Sequence, residues 1–188
     1  MNKDNINTKH KLYIVGSARG VERYYMIDKL LNEINNLKLI HTGNLIKSIM
    51  SDINLKNLDD VSLKDYYSVV EPTAINIILA HLEHKDVLLD THFHYMLPGI
   101  SIHNITKLLT KVSKASVILI TDTAENIYNK LKNTDVWFER IDNIRSDVLL
   151  NELYFDIYSD TIKKMVPLKS FKISTDRLNK LDLIEVKN

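Results

Sequence analysis

Five short apolar runs recur along the chain. Each run is almost continuously hydrophobic rather than alternating, which is typical of strands buried on both faces of a parallel sheet. Stretches with the spacing of amphipathic helices separate the runs, so the pattern predicts alternating strands and helices in an α/β fold. The predicted strands are Lys11 to Val15, Leu37 to His41, Val87 to Asp90, Val117 to Thr121 and Phe171 to Ser174.

Capping residues and a proline indicate where helices begin. Ser62 with Asp65, and Asp122 with Glu125, have capping-box spacing. Pro72 suits the first turn of a helix and should break the stretch after Ser62 into two pieces. Near the end of the chain, a set of apolar residues at helical spacing predicts a helix with one core-facing stripe. Its members are Leu150, Leu153, Tyr154, Ile157, Tyr158, Ile162 and Met165.

Composition narrows the class of protein. The 188 residues are 45% hydrophobic and 26% charged, as in one well-buried soluble domain. With 25 Lys and Arg against 24 Asp and Glu, the net charge is +1, so no overall field indicates nucleic acid or an anionic membrane as a partner. The chain has no Cys, which excludes disulfides, cysteine metal sites and thiol nucleophiles.

Organisation along the chain is simple. We find no repeat, low-complexity tract or linker, so residues 1–10 are expected to form a flexible tail and residues 11–188 a single domain. No run approaches the roughly 18 apolar residues of a membrane span, and the polar first residues resemble no secretion signal. We therefore expect a cytoplasmic protein with no membrane partner.

The loop after the first strand carries two of the four glycines, Gly16 and Gly20. A strand that leads through a glycine-containing loop into a helix presents backbone N–H groups and a positive helix dipole to an anion. A phosphate loop reads G-x-x-x-x-G-K-[ST], but counted from Gly16 the last three positions hold Val21, Glu22 and Arg23. Glutamate repels a phosphate where lysine attracts it, and arginine is not a metal ligand.

Arginines offer this loop another route to anion binding. Arg19 and Arg23 lie within it, and a guanidinium binds phosphate in a bidentate fork. Two interpretations therefore stay open: an anion site, or an ordinary turn with surface arginines.

The third predicted strand ends in Asp90, followed by Thr91, His92 and His94. In phosphoryl-transfer enzymes of this architecture a carboxylate here orients Mg²⁺ or its water shell. Because Asp90, His92 and His94 share one face of an extended chain, a D-x-H-x-H transition-metal site is a second interpretation. A helix cap or a partner for nearby backbone is a third. Histidines interpreted as having no role are His41, His81, His84 and His103.

The order of these pieces resembles that of archaeal-type adenylate kinases and other nucleoside monophosphate kinases, from about Lys11 to Ser174. The most specific match is L-L-D-T-H at Leu88 to His92, followed by L-P-G at Leu97 to Gly99. The first strand with its glycine loop is similar to the family's phosphate loop. Further matching segments are H-T-G-N at His41 to Asn44, similar to the turn at the nucleoside-monophosphate side, and S-V-I-L-I-T-D-T-A-E-N-I at Ser116 to Ile127.

This resemblance implies a three-layer P-loop-type fold for residues 11–188, with a short lid around residues 133–145. The phosphate-binding residues that it implies are Gly16, Arg19, Gly20 and Arg23. Those at the nucleoside-monophosphate side are Thr42, Gly43 and His92. The candidate catalytic residues are Asp90, Arg140 and Arg145, with Asp90 holding a metal through water. Mg²⁺ is implied only if a nucleotide binds.

Departures from the family pattern bear on activity. Family members transfer a phosphoryl group from ATP to AMP by positioning and by charge neutralisation through Lys, Arg and Mg²⁺. Since Glu22 and Arg23 replace two of those parts, we expect a catalytically impaired relative that binds a nucleotide or another phosphorylated ligand. Two alternatives stay open. One is an active nucleoside monophosphate kinase with Arg19 or Arg23 in place of the lysine. The other is an interaction protein that forms a homo-oligomer through a helix face such as that of Tyr24, Tyr25 and Ile27, although such residues also suit core packing.

Overall fold

A computed structural model describes residues 10–53, 62–93, 100–132 and 140–180. Residues 1–9 of the expected tail, His94, the L-P-G motif at 97–99 and residues 133–139 of the expected lid lie outside the described residues. No helix in the described ranges is long and apolar enough to cross a membrane.

Five parallel strands form one sheet in the order β2-β3-β1-β4-β5. The strands are β1 (His10–Ser17), β2 (Leu37–His41), β3 (Asp86–Thr91), β4 (Val112–Thr121) and β5 (Leu168–Ser174). β1 lies at the centre, with Ile14 in register with Leu89 of β3 and with Val117 of β4. The predicted α/β fold with a five-stranded parallel sheet is confirmed.

Helices cover both faces of this sheet. They are α1 (Tyr24–Glu33), α2 (Thr42–Asp52), α3 (Leu63–Asp65), a π-helical segment (Tyr66–Val70), α4 (Glu71–Leu82), α5 (Ile102–Leu109), α6 (Ala124–Leu131), α7 (Ile141–Lys163) and a 3₁₀ helix (Thr175–Lys180). Leu12 and Ile14 of β1 belong to a core cluster shared with α4, α5 and α7, whereas Tyr13 and Val15 belong to one shared with α1 and α6. The alternation of side chains along β1 therefore builds the three layers.

β1 is longer at both ends than the sequence predicted. His10, which we assigned to the tail, begins the strand, and its Nδ1 lies 3.2 Å from Oδ1 of Asp86. At the other end Gly16 pairs in register with Thr91, and the strand continues to Ser17. The loop before α1 is correspondingly short.

The helix that precedes β3 is irregular rather than broken. The predicted cap is present, because Ser62 Oγ accepts a hydrogen bond from the Asp65 amide at 3.0 Å. Ahead of Pro72 the helix widens into the π-helical segment, since proline has no N–H to donate and its ring displaces the preceding carbonyl. At α6 the cap is Thr123 rather than Asp122.

The core-facing stripe predicted near the end of the chain is wrong in part. Tyr158 and Ile162 are buried, but Leu153, Ile157 and Met165 are 53%, 41% and 45% exposed. The buried residues of α7 are Ile144, Asn151, Phe155, Tyr158 and Ile162. The helix thus has two apolar faces, and only one of them meets the sheet.

Close packing explains why residue 16 is a glycine. A Cβ at Gly16 would lie 2.6 Å from Cε2 of Phe93 and 3.2 Å from the carbonyl oxygen of Thr91. The Phe93 ring is itself fixed by edge-to-face contacts with Phe155 and Tyr158, at centroid distances of 5.6 and 5.5 Å. Neither the Phe93 ring nor the Thr91 carbonyl can therefore shift easily to accommodate a larger side chain.

We predict that Gly16→Ala lowers the free energy of unfolding by about 1–3 kcal/mol, as overpacking of a well-packed core does. Urea titration followed by circular dichroism measures the change. The double variant with Phe93→Leu should recover part of the loss; if the two losses simply add, contact with Phe93 is not the cause.

Candidate functional site

A cleft of about 360 Å³ lies at the carboxyl edge of the sheet. It forms there because the strand order places the end of β3 beside the ends of β1 and β2, with loop 18–23 and the start of α2 above them. Its lining residues are Arg19, Arg23, Tyr24, His41, Thr42, Gly43, Asn44, Lys47, Asp90, Thr91 and His92.

An ion pair between Arg23 and Asp90 occupies the floor of this cleft. The Asp90 side chain is buried, and Nε of Arg23 donates a hydrogen bond to its Oδ1. Nη1 of the same guanidinium donates to Ser17 Oγ at 3.1 Å, and Nη2 lies 3.5 Å from Nε2 of His92. One arginine at the start of α1 thereby ties the end of β1 to the end of β3.

The other carboxylate oxygen of Asp90 is bonded from β2. Nδ1 of His41 lies 2.6 Å from Oδ2. Oγ1 of Thr42 lies 3.0 Å from the carbonyl oxygen of Asp90 and 3.1 Å from Oγ1 of Thr91, which fixes the start of α2 to β3. Both oxygens of Asp90 are therefore engaged by nitrogen atoms from separate segments.

His92 is neutral, and its partners define its tautomer. Nδ1 lies 2.8 Å from the carbonyl oxygen of Ser17, an atom that only accepts, so Nδ1 carries the proton and Nε2 faces Arg23 as an acceptor. Burial lowers the pKa of His92 most, and the positive charge of Arg23 lowers it further.

The residues around Asp90 do not fit a magnesium ion. Mg²⁺ requires oxygen ligands in octahedral geometry, whereas both Asp90 oxygens already accept bonds from nitrogen donors, and Arg23 stands where a phosphate loop has its hydroxyl. Across residues 10–53, 62–93, 100–132 and 140–180, no three His, Asp or Glu side chains cluster as metal ligands. The D-x-H-x-H interpretation depends on His94, which lies outside those ranges.

The two glycines of the predicted phosphate loop do not line the cleft. Gly16 belongs to β1 and packs on Phe93. Gly20 has a φ of 78°, and a Cβ there would lie 2.9 Å from Cγ2 of Ile127. Turn geometry and packing against α6 account for Gly20.

Neither arginine of the expected lid lines the cleft. Arg145 donates to Glu125 Oε1 at 2.7 Å and to Asp142 Oδ1 at 3.2 Å on the exposed surface between α6 and α7. Arg140 is the exposed residue immediately before α7. Their predicted catalytic role thus has no support from the cleft geometry.

The predicted site residues omit five lining residues: Tyr24, His41, Asn44, Lys47 and Thr91. A signal existed for Lys47, which follows the predicted site residue Gly43 by one helical turn and so shares its face. His41 and Asn44 lie in the H-T-G-N segment that resembles the nucleoside-monophosphate turn, and Thr91 follows Asp90 directly. The contact of His41 with Asp90 could not be predicted, because it depends on β2 lying beside β3 and a single sequence does not reveal strand order.

A second cleft, of about 340 Å³, lies beside α6 and the end of β5. At its base, Asp122 accepts hydrogen bonds from Lys130 Nζ at 2.9 Å and from Thr175 Oγ1 at 2.8 Å. Burial raises the pKa of Asp122, but the hydrogen bonds, chiefly that from Lys130, outweigh burial and hold the pKa below its ordinary value. Glu22 and Asp176 also line this cleft, so three carboxylates face one lysine.

No protein-family model matches the sequence, and no curated protein matches it. Solved structures match its fold. The Deinococcus radiodurans tunicamycin resistance protein does so with a TM-score of 0.57 and 9% identity, over 95% of this chain and 96% of that one. A gluconokinase from Sinorhizobium meliloti 1021 gives a TM-score of 0.50 and 8% identity, over 95% and 90% of the two chains.

A third match is a chain from a Pnkp1/Rnl/Hen1 RNA repair complex, with a TM-score of 0.51 and 13% identity over 84% of this chain. The present chain spans only 49% of that chain. At such identities the likeness is one of fold alone. It defines the class as an α/β protein with a three-layer P-loop-type fold.

The depressed pKa of His92 predicts a dependence of stability on pH. The unfolded chain takes up a proton near the ordinary pKa of 6.5, whereas the folded chain resists it, so the free energy of unfolding should fall as the pH drops below that value. We predict that His92→Gln, whose amide offers both a donor and an acceptor, flattens this dependence. Urea titrations at several pH values measure it.

The control is His81→Gln, because burial and two neighbouring lysines lower the pKa of His81 on α4, outside the cleft. His81→Gln should remove only the contribution of His81 to the pH dependence of the free energy of unfolding, and the contribution of His92 should stay in place. An unchanged pH dependence in His92→Gln would contradict the assigned neutral state.

Proposed function

We propose that this protein binds one phosphorylated small molecule, such as a nucleotide, in the cleft at the ends of β1, β2 and β3, and that it is an impaired relative of the adenylate kinases. The Arg23–Asp90 ion pair is the observation that carries this proposal. It neutralises the buried carboxylate at this edge of the sheet, so that the carboxylate no longer repels an anion. Binding of the ligand then needs no metal.

Charge in the cleft favours an anion. The lining holds three cationic side chains and one carboxylate, Asp90, which Arg23 neutralises. Lys47 of α2 lies at the rim, and Arg19 lines the rim from the loop after β1. A phosphate at this rim would gain a charge-assisted hydrogen bond from Lys47.

The start of α2 adds backbone donors to this cleft. Thr42, Gly43 and Asn44 form its first turn and line the cleft. No side chain caps this terminus, because His41 directs its Nδ1 to Asp90 instead. Free N–H groups at the positive end of a helix are suited to phosphate oxygens.

Phosphoryl transfer requires a donor polyphosphate bound beside the acceptor. The lining of the second cleft disfavours such a polyphosphate. Its lining has three carboxylates against Lys130, and that lysine is paired with Asp122. Glu22, which stands in the lysine position of the phosphate loop, lines this acidic cleft. Donor phosphates would therefore meet repulsion where an active kinase supplies positive charge.

We predict that saturating nucleotide raises the thermal midpoint equally in EDTA and in excess Mg²⁺. Ligand at about 100 times its Kd stabilises the folded chain by about 2.7 kcal/mol. Thermal unfolding with ATP, ADP, AMP, GTP and inorganic phosphate measures the shift and ranks the ligands. A shift that requires Mg²⁺ would overturn the proposed role of Arg23, and the absence of any shift would overturn the proposal as a whole.

Two exposed lysines provide a test variant and its matched control for the same measurement. Lys47→Ala should weaken binding by about tenfold, the value of one charge-assisted hydrogen bond of about 1.5 kcal/mol. Lys107→Ala, on α5 and outside the cleft, should leave binding unchanged.

We predict that the wild-type chain shows turnover from ATP and AMP at least about 10²-fold below that of an active adenylate kinase, since loss of one transition-state cation costs about 10²- to 10³-fold. A coupled assay at saturating substrates tests this. Turnover at the family's level, abolished by Arg23→Ala without loss of the circular dichroism spectrum, would instead establish the active-kinase alternative.

A further inference from the structure

The outer face of α7 carries an exposed apolar stripe. Leu149, Leu153 and Ile157 follow one another at intervals of four residues and are 67%, 53% and 41% exposed. They lie on the side of the helix opposite the core residues Ile144 and Phe155, as the rotation of about 100° per residue requires. In the described residues nothing packs over this stripe.

Charged and polar residues continue the same line at both ends. Asp142 and Ser146 precede the stripe, and Asp160 and Lys164 follow it. Lys164 directly follows α7 and keeps helical dihedrals, with φ of −74° and ψ of −16°. All four project within about 20° of the direction of Leu153. Asp142 also accepts a bond from Arg145 at 3.2 Å but stays 81% exposed.

The stripe is complementary to itself when two copies run in opposite directions. Leu153 is its midpoint, so an antiparallel second α7 would set Leu149 against Ile157 and Asp142 against Lys164. Ser146 would lie against Asp160. In a parallel pair the same residues would meet their own copies, placing Asp142 against Asp142 and Lys164 against Lys164, which is repulsive.

We infer that this face of α7 binds a second copy of the chain in antiparallel orientation, with a two-fold axis through Leu153. The interface is isologous, because the two copies use the same residues. It contains two ion pairs between Asp142 and Lys164, one on each side of an apolar centre. α7 is about 34 Å long, so one helix pair gives a small interface and a reversible dimer, with a Kd on the order of tens of micromolar. The inference does not rest on the proposed ligand.

Sedimentation equilibrium across a range of concentrations tests for association. The wild-type chain should be a monomer–dimer mixture, and Leu153→Asp should raise the Kd at least about tenfold because it places two carboxylates on the axis. Leu63→Asp is the matched control: Leu63 is 61% exposed on α3, and the same substitution there should leave the Kd unchanged. Circular dichroism verifies that both variants fold.

Cysteine cross-linking tests the orientation, and the chain has no native cysteine to interfere. Leu153→Cys should form a disulfide-linked dimer under mild oxidation. Leu149→Cys alone should not, because its two copies would lie about 12 Å apart along the helix axes, beyond the roughly 7 Å that a disulfide spans. A mixture of Leu149→Cys with Ile157→Cys should cross-link.

A wild-type chain that stays monomeric up to about 500 µM would overturn the inference and leave the stripe to a different protein. A dimer that Leu153→Asp does not weaken would overturn the assignment to α7. Cross-linking of Leu149→Cys alone as readily as Leu153→Cys would overturn the antiparallel arrangement.

Discussion

Burial of the Asp90 carboxylate is the constraint on which the arrangement of the sheet edge depends. An ionised carboxylate taken out of water costs several kcal/mol unless opposite charge and hydrogen bonds compensate for it. Arg23 and His41 supply that compensation from two separate segments, and Thr42 bonds the Asp90 carbonyl. The loop after β1, the end of β2 and the start of α2 are therefore held in place by one side chain of β3.

This compensation also determines what the edge can bind. A carboxylate that already accepts bonds from a guanidinium and an imidazole is a poor ligand for a divalent cation, and the anion that we propose would meet Lys47 at the rim. Burial lowers the pKa of His92 most, and the Arg23 guanidinium lowers this pKa further because it disfavours a second positive charge nearby. Arg23 thus contributes both to the neutral state of His92 and to the neutral floor of the cleft in which we propose that an anion binds.

The sequence predicted the fold well because strands buried on both faces are continuous apolar runs, a local property. It also predicted site roles for Asp90, Arg23 and Thr42, which line the cleft, since the ends of parallel strands are where ligands bind. It missed His41 because that contact depends on strand order. It assigned Leu153 and Ile157 to the core because α7 has two apolar faces, and periodicity alone does not say which one packs on the sheet.

The net charge of +1 indicates no partner by itself, but the charges are unevenly distributed over the molecule. Positive charge collects at the cleft of β1, β2 and β3, and negative charge collects in the cleft beside α6. With little overall charge, two copies of the chain do not repel one another strongly, so the local pattern on α7 decides whether and in what orientation they associate. An acid at one end of that face and a lysine at the other favour the antiparallel arrangement, in which opposite charges meet.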